Sequence, residues 1–474
     1  MMSNVVVKKY SINDIYGKFL QLLSTSQFNN LARSSDVDFT RKRSLTLERL
    51  ILYLIFRQGR TLNQELLQFY AAADENESIV SKQALSKALR KINPDALSHL
   101  IMEFARLFYN SSAVKTYRKY ILLAEDGSTI EAPLSDTSLN VFGFQINQYV
   151  RTKEQAKKTS SKMGGLFDIT NGFFINATMG SHNDSEIPLG YKNLEGALPY
   201  LKNRKVIYMT DRYYGSIELF QFLENHSFNY CVRGKANFYK DLVANIEDDD
   251  WISIRITSQI LQRIKNEKVR IALKKKKYLN IRVVKYYLEK PNKDGETYHL
   301  YFTNLSKKEF SSQDIADLYS KRWEIETNYK FFKIDLEAER FNTNCPRVFK
   351  CKVMGKLLAL NFIGIIKAEV DAILIHKKTL KYRDGFKTKF CVIKDFVYNN
   401  FLSEMIQRNL TSLKELVVTI HKYSQKNIVP IRKNRHYRRY GRFVKSAPSY
   451  RFTLDGRNHP KLRSTKFGMR TVAS

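Results

Sequence analysis

At 474 residues, with 43% hydrophobic and 13% aromatic content, the chain can build a sizeable core and more than one domain, which excludes general disorder. Its 80 lysines and arginines against 46 acidic residues give a formal charge of +34, a self-repelling load that a polyanionic partner relieves; nucleic acid is the leading candidate. The basic residues are spread along the chain rather than lining one amphipathic helix, which disfavours a membrane partner.

Met1 to Tyr10 has Val5 to Val7 followed by lysines, with no long apolar core of a secretory signal, so a protein that stays in the cytoplasm or reaches DNA there is expected. From Ser11 to about Tyr117 apolar positions recur at three and four, in Leu47 to Phe56, Leu62 to Tyr70 and Ile101 to Tyr109. This predicts a helical N-terminal domain over 1–117. Within it Ser81 to Ile92 sets Lys82, Lys87, Arg90 and Lys91 around an Ala/Leu stripe, as a helix lying on DNA would, or as an ordinary amphipathic surface helix does.

After Tyr117 the period changes. Tyr120 to Ala124, Gly165 to Thr170, Phe173 to Met179, Lys205 to Thr210 and Phe228 to Val232 read as strands, with Asn171-Gly172 predicting an antiparallel hairpin between the second and third. Ile217 to Leu223 reads as a helix opened by Gly215-Ser216. From 235 to 312 short strands at Ile252 to Ile256, Val269 to Leu273, Leu279 to Val284 and Tyr298 to Phe302 alternate with charged turns, a β-rich insertion.

A stretch without Pro or Gly follows, read as one helix. Tyr319, Arg322, Glu326 and Lys333 fall within about 60° of one another at about 100° per residue, while Leu318, Ile325, Tyr329, Phe332 and Leu336 form an adjoining apolar stripe. One side packs and the other carries a carboxylate beside a phenol, a guanidinium and an ammonium, groups suited to a phosphate near a metal-bound carboxylate. Lys321, Glu324 and Lys330 decorate the rest of the surface, as on any solvated helix.

Val353 to Leu374 reads as a long helix; its apolar stretch Leu357 to Ile366, broken by Asn361 and Gly364, is too short to span a bilayer. Phe396 to Ile420 is further helix. From Ile431 to Ser474 there are 13 Lys or Arg and one acidic residue, Asp455, interleaved with Tyr437, Tyr440, Phe443, Tyr450 and Phe452. That composition suits a tail that follows phosphates and stacks on bases, or a solvated tail. The four cysteines, Cys231, Cys345, Cys351 and Cys391, lack paired zinc spacing and are read as reduced and structural.

Asp126 ends the run YILLAED and Asp211 ends KVIYMTD. Carboxylates at the tips of neighbouring strands, joined by Glu326 from the helix, could hold two Mg²⁺ ions about 4 Å apart and run phosphoryl transfer without a covalent enzyme intermediate. Taken singly, Asp126-Gly127 is a turn dipeptide and Asp211 a helix cap.

The blocks DGST, TDRYYGS and YSKRWEIETNYKFFK together resemble the catalytic blocks of DDE transposases of bacterial insertion sequences, the insertion sequence 4 type, whose Tyr-Arg-Glu-Lys spacing is matched at Tyr319, Arg322, Glu326 and Lys333. The resemblance implies an α/β, α+β multidomain chain: a ribonuclease-H-like catalytic core over 118–234 and 313–375, the insertion over 235–312, and a helical then basic C-terminal region over 376–474. It implies that Asp126, Asp211 and Glu326 hold two Mg²⁺, with Mn²⁺ as substitute, and that Tyr319, Arg322 and Lys333 contact phosphates.

Trp323 adjoins the motif, and packing is its expected role. With Arg212, Lys82, Lys87 and Arg90 it is also a candidate DNA contact. Trp251 is a candidate for holding a flipped base, and His182, Asp184 and Glu186 for lying near the metals. The implied activity is cleavage and strand transfer at the element's terminal inverted repeats, on double-stranded DNA, by a homodimer across paired ends, with the second strand separated through a hairpin in related enzymes. The alternatives are a metal-dependent nuclease or resolvase that cuts without joining, and a catalytically dead, domesticated DNA-binding protein.

Overall fold

The computed structural model describes residues 11–41, 44–73, 79–146, 157–235, 237–291 and 295–432. The leader reading on Met1 to Tyr10 and all but the first two residues of the basic tail lie outside them.

Among the described residues six helices come first: α1 (Ile12–Leu23), α2 (Ser26–Ala32), α3 (Leu47–Phe56), α4 (Leu62–Ala72), α5 (Lys82–Leu89) and α6 (Pro94–Tyr109). Thr25, Thr46, Thr61, Ser81 and Asn93 start α2 to α6, each side chain accepting from an amide of the first turn that has no helical partner.

The next elements are β1 (Ile121–Glu131), α7 (Asp136–Phe142), the short pair β2 (Gln145–Ile146) and β3 (Lys157–Lys158), β4 (Ser160–Asp168), β5 (Phe173–Ser181), α8 (Glu186–Leu201), β6 (Val206–Thr210), α9 (Ile217–Asn225) and β7 (Asn229–Arg233). Then come α10 (Lys240–Ala244), β8 (Asp249–Arg255), α11 (Ser258–Arg263), α12 (Glu267–Lys274), β9 (Tyr278–Tyr287) and β10 (Tyr298–Thr303). The chain continues through α13 (Ser312–Ser320), α14 (Trp323–Lys330), a π-helical turn (Phe331–Asp335), α15 (Pro346–Leu374), β11 (Phe386–Thr388), α16 (Phe390–Ile406), α17 (Leu410–Ser424) and β12 (Ile428–Pro430).

Eight strands make one mixed sheet in the order β5-β4-β1-β6-β7-β10-β9-β8. Its centre, β1-β6-β7, is parallel, and β6 is buried along its whole length, as a strand covered on both faces must be. The hairpin at Asn171-Gly172 joins β4 to antiparallel β5 as expected. Its loop runs from Ile169 to Gly172, and Asp168 braces it, accepting from the Thr170 and Asn171 amides and from the Tyr109 hydroxyl. The strands of the expected insertion, β8, β9 and β10, continue the same sheet beyond β7.

Val269 to Leu273 is not a strand. Asn266 accepts from the Val269 amide and starts α12, a helix that buries Val269 and Leu273 one turn apart and leaves Ile271 between them exposed.

The helix expected across 319–333 is likewise three pieces. α13 ends at Ser320, α14 begins at Trp323, and Lys333 lies in the π turn that follows. The apolar stripe survives this: Leu318, Ile325, Tyr329, Phe332 and Leu336 are all buried.

Helix α15 is the axis of the helical half. The Tyr16 hydroxyl donates to the Phe362 carbonyl, and Phe19, Phe56 and Phe104 pack on the Phe362 ring. Among the described residues no helix is long and apolar enough to cross a membrane. Cys231 and Cys351 are buried, and all four cysteines are free thiols.

Candidate active site

Two adjacent parallel strands at the centre of the sheet bring two carboxylates to matching positions. The last register pair of β1 and β6 is Ala124 with Met209, so Asp126 and Asp211 each stand two residues further along their chains. Asp211 lies just past the end of β6 and accepts from the Tyr213 amide at 2.8 Å. Asp126 does not end its strand, contrary to expectation: β1 runs on to Glu131 because β4 continues to pair with it, Asp126 opposite Gly165.

The pleat sorts neighbouring carboxylates to opposite faces. Glu125 is fully buried, accepts from Asn193 of α8 at 2.9 Å, and is pushed well above the usual carboxylate range by desolvation. Asp126 points to the other face, where α14 lies. There the Tyr329 hydroxyl donates to the Asp126 carbonyl oxygen at 2.9 Å. Tyr329 is thus more than a member of the packing stripe, a role the periodicity did not reveal.

Arg322 connects the two elements. Its guanidinium reaches the Asp126 carboxylate at 3.5 Å and donates to Glu326 at 2.6 Å. Burial pushes the Asp126 carboxyl up to about 6; Arg322 opposes the rise, and the negative charges of Asp211 and Glu326 add to it. The three carboxylates therefore share one field. Among the described residues no three His, Cys, Asp or Glu side chains stand close enough together to hold one ion. Oxygen donors that repel one another and draw a guanidinium between two of them fit a hard divalent cation in chemistry.

The other motif residues lie at the rim. The Tyr319 ring packs on Tyr301 at 5.0 Å with the Arg322 guanidinium 5.6 Å from its centre, and burial pushes its hydroxyl up to about 12. Lys333 donates to the Thr129 carbonyl of β1 at 2.7 Å. Buried Arg282 of β9 donates to both oxygens of Asp249 on β8, and Asp249 accepts from Ser312 at the start of α13, which locks the outer strands to the Tyr319 helix.

Trp323 corrects the packing expectation: it is 63% exposed, with the Arg322 guanidinium 5.9 Å from its ring. It opens α14 on the solvent side because buried Arg322, one residue earlier, takes the inward direction. Trp251 is also exposed, on β8, the outermost strand. Arg212 pairs with Glu296 at 3.4 Å. Lys82, Lys87 and Arg90 are exposed on and beside α5.

Of the loop candidates, His182 pairs with the Ser160 hydroxyl and Asp184 accepts from the Ser181 amide, so both brace the turn. Glu186 bonds Lys162 at 2.9 Å and its carboxyl abuts Gly127, where a Cβ would fall 2.3 Å from its Cδ.

A family model described as "Transposase DDE domain" matches residues 117–362, more than half of the chain and the whole segment that carries this site. The chain belongs to the DDE transposase family. It is 23% identical over 340 residues to the transposase InsG for insertion sequence element IS4 of Escherichia coli K12, covering 70% of this chain and 72% of that one. It is 22% identical over 456 residues to the transposase for insertion sequence element IS231E of Bacillus thuringiensis subsp. finitimus, covering 86% and 90%. A solved piggyBac transposase synaptic complex with hairpin DNA aligns at 12% identity and a TM-score of 0.45, covering 87% of this chain and 86% of that one.

Proposed function

We propose that this chain is the transposase of an insertion sequence: it binds the element's terminal inverted repeats, hydrolyses a phosphodiester at the element's end to release a 3′-hydroxyl, and joins that hydroxyl to target DNA. The observation that carries this is the matched position of Asp126, inside β1, and Asp211, just past the end of the parallel strand β6, with Arg322 linking Asp126 to Glu326. Family membership supports divalent-metal chemistry, generally Mg²⁺.

In this reading Asp126, Asp211 and Glu326 hold the metal, as two ions, with Mn²⁺ as substitute. Mg²⁺ bound there would lower the pKa of the attacking water and stabilise the leaving oxygen. The chain's own residues do the rest. Arg322 exchanges its carboxylate partners for non-bridging phosphate oxygens, which a planar guanidinium meets with two donors. Tyr319 presents a protonated hydroxyl, and Lys333 lies one turn past Tyr329 to bind the phosphate of a neighbouring nucleotide.

The catalytic segments 118–234 and 313–375 are read as a ribonuclease-H-like core, and the helices before residue 118 and the basic region after 375 as DNA-holding parts. A homodimer across paired ends follows from the need to cut and join two ends together.

The test is Mg²⁺-dependent nicking of a duplex carrying the element's own ends, compared with Asp126→Asn and Asp211→Asn. Loss of nicking in both variants with DNA binding retained supports the reading; nicking at the wild-type rate by either contradicts it.

A further inference from the structure

Beyond the catalytic face, the segment between α15 and α16 builds a second feature. The Thr379 amide donates to the Tyr382 carbonyl at 3.2 Å and the Tyr382 amide returns to the Thr379 carbonyl at 3.1 Å. That closes a tight turn whose two tip residues are Leu380 and Lys381. Leu380 is 98% exposed.

A lone exposed leucine is ordinary on a protein surface. This one is held at the tip of a braced turn, with exposed Lys377, Lys378, Lys381 and Arg383 around it in sequence. Tyr382 anchors the base: its ring packs on Phe386 at 5.6 Å, and Phe386 is buried with Val370 and Leu374 of α15. Gly385, at φ +82°, turns the chain into β11 where a Cβ would fall 2.3 Å from the Ile375 carbonyl oxygen.

Just past β12, the Ile431 amide donates to the Gly385 carbonyl, and the Arg432 guanidinium lies 5.4 Å from the Tyr382 ring. Lys381, Arg383 and Arg432 thereby line an open groove of about 530 Å³, with Asp384 as its acidic member. Beyond β11, Phe390 at the start of α16 stacks on Phe331 of the π turn at 4.1 Å and 6°.

We propose that the Thr379–Tyr382 turn is a DNA wedge: Leu380 enters a base step and bends the duplex, while Lys378, Lys381 and Arg383 hold the flanking phosphates. An apolar side chain between stacked bases recovers part of the unstacking cost through burial, and the bend brings more backbone onto the basic groove. The proposal rests on DNA being the partner, as in the transposase reading.

The test uses the full-length protein in EDTA, so that no strand is cut, on a duplex carrying the element's ends. The bend is read by fluorescence energy transfer between end labels, and affinity by titration at several salt concentrations. The wild type bends the duplex by about 20–90°. Leu380→Ala binds with an unchanged salt slope but loses the bend, and Leu380→Phe keeps it. The triple variant Lys378→Ala/Lys381→Ala/Arg383→Ala lowers the slope of log K against log salt by about 0.9 per lost contact, about 3 in all. Binding without bending in the wild type, an equal bend in Leu380→Ala, or an unchanged slope in the triple variant each overturns the wedge. Failure of cleavage by the wild type in Mg²⁺ would instead count against the transposase reading, because the bending assay needs no chemistry.

Discussion

The Tyr329 hydroxyl sits over Gly165 more closely than any side chain there would allow: a Cβ on Gly165 would stand 2.6 Å from Tyr329 Oη and 2.7 Å from a Phe174 ring carbon. Only a bare backbone lets Tyr329 reach the Asp126 carbonyl across β4. Gly165→Ala is expected to displace α14, lowering the melting temperature and cleavage together. Tyr329→Phe keeps the ring and loses one buried hydrogen bond, so it should cost about 1 kcal/mol in chemical denaturation. A Gly165→Ala protein as stable and active as the wild type would remove this account of the contact.

Arg322 pairs with Asp126 and Glu326 in the DNA-free protein, and in the proposed reading it gives up those partners to hold a phosphate. Arg322→Met should therefore tighten Mn²⁺ binding to the DNA-free protein, measured by calorimetry, while cleavage falls about 10²-fold or more. Arg322→Lys should not restore cleavage, because an ammonium lacks the planar fork that spans two acceptors.

Trp323 is too exposed to support the fold. Trp323→Ala should change stability by less than about 0.5 kcal/mol. If the ring stacks on an unpaired base, the same change weakens binding to a frayed end by about 1–3 kcal/mol and leaves binding to intact duplex nearly unchanged.

A buried basic cluster predicts a pH dependence of stability. Desolvation and the nearby Arg57 push Lys352, in α15, down to about 7, and Lys356 one turn on is depressed for the same reasons. An unfolded lysine titrates near about 10.4, so between about pH 7 and 10 the unfolded chain binds more protons and stability rises with pH. Lys352→Met should remove part of that rise, Lys356 retaining its own share, and should raise stability at pH 7 by roughly 1 kcal/mol or more. Denaturant titrations between pH 7 and 9.5 measure both effects.

The sequence made the carboxylates legible because buried strands announce themselves as apolar runs, and YILLAED and KVIYMTD each deliver an acid where the run stops. Strand register was hidden, since it depends on which strands become neighbours; that β1 continues past Asp126 is decided by β4, about forty residues away. The break at Lys321-Arg322 carries no Pro or Gly and has a tertiary setting: Arg322 turns inward to Asp126 and α14 restarts behind it. Val269 to Leu273 misled by composition, although Asn266 three residues earlier was a readable cap. Trp323 misled in the other sense, because an aromatic beside an apolar stripe is usually part of it, and here its neighbour holds the inward direction.

The central claim is that Glu326 and the two aspartates form one phosphoryl-transfer site. The most direct measurement compares wild type with Glu326→Gln, which keeps an acceptor for Arg322, on uncut and precut element ends in Mg²⁺ at equal DNA occupancy. The account predicts that the variant loses both cleavage and the joining of the precut end while binding is retained. Equal activity in the two proteins, or a wild type that cuts but never joins a precut end, would contradict it.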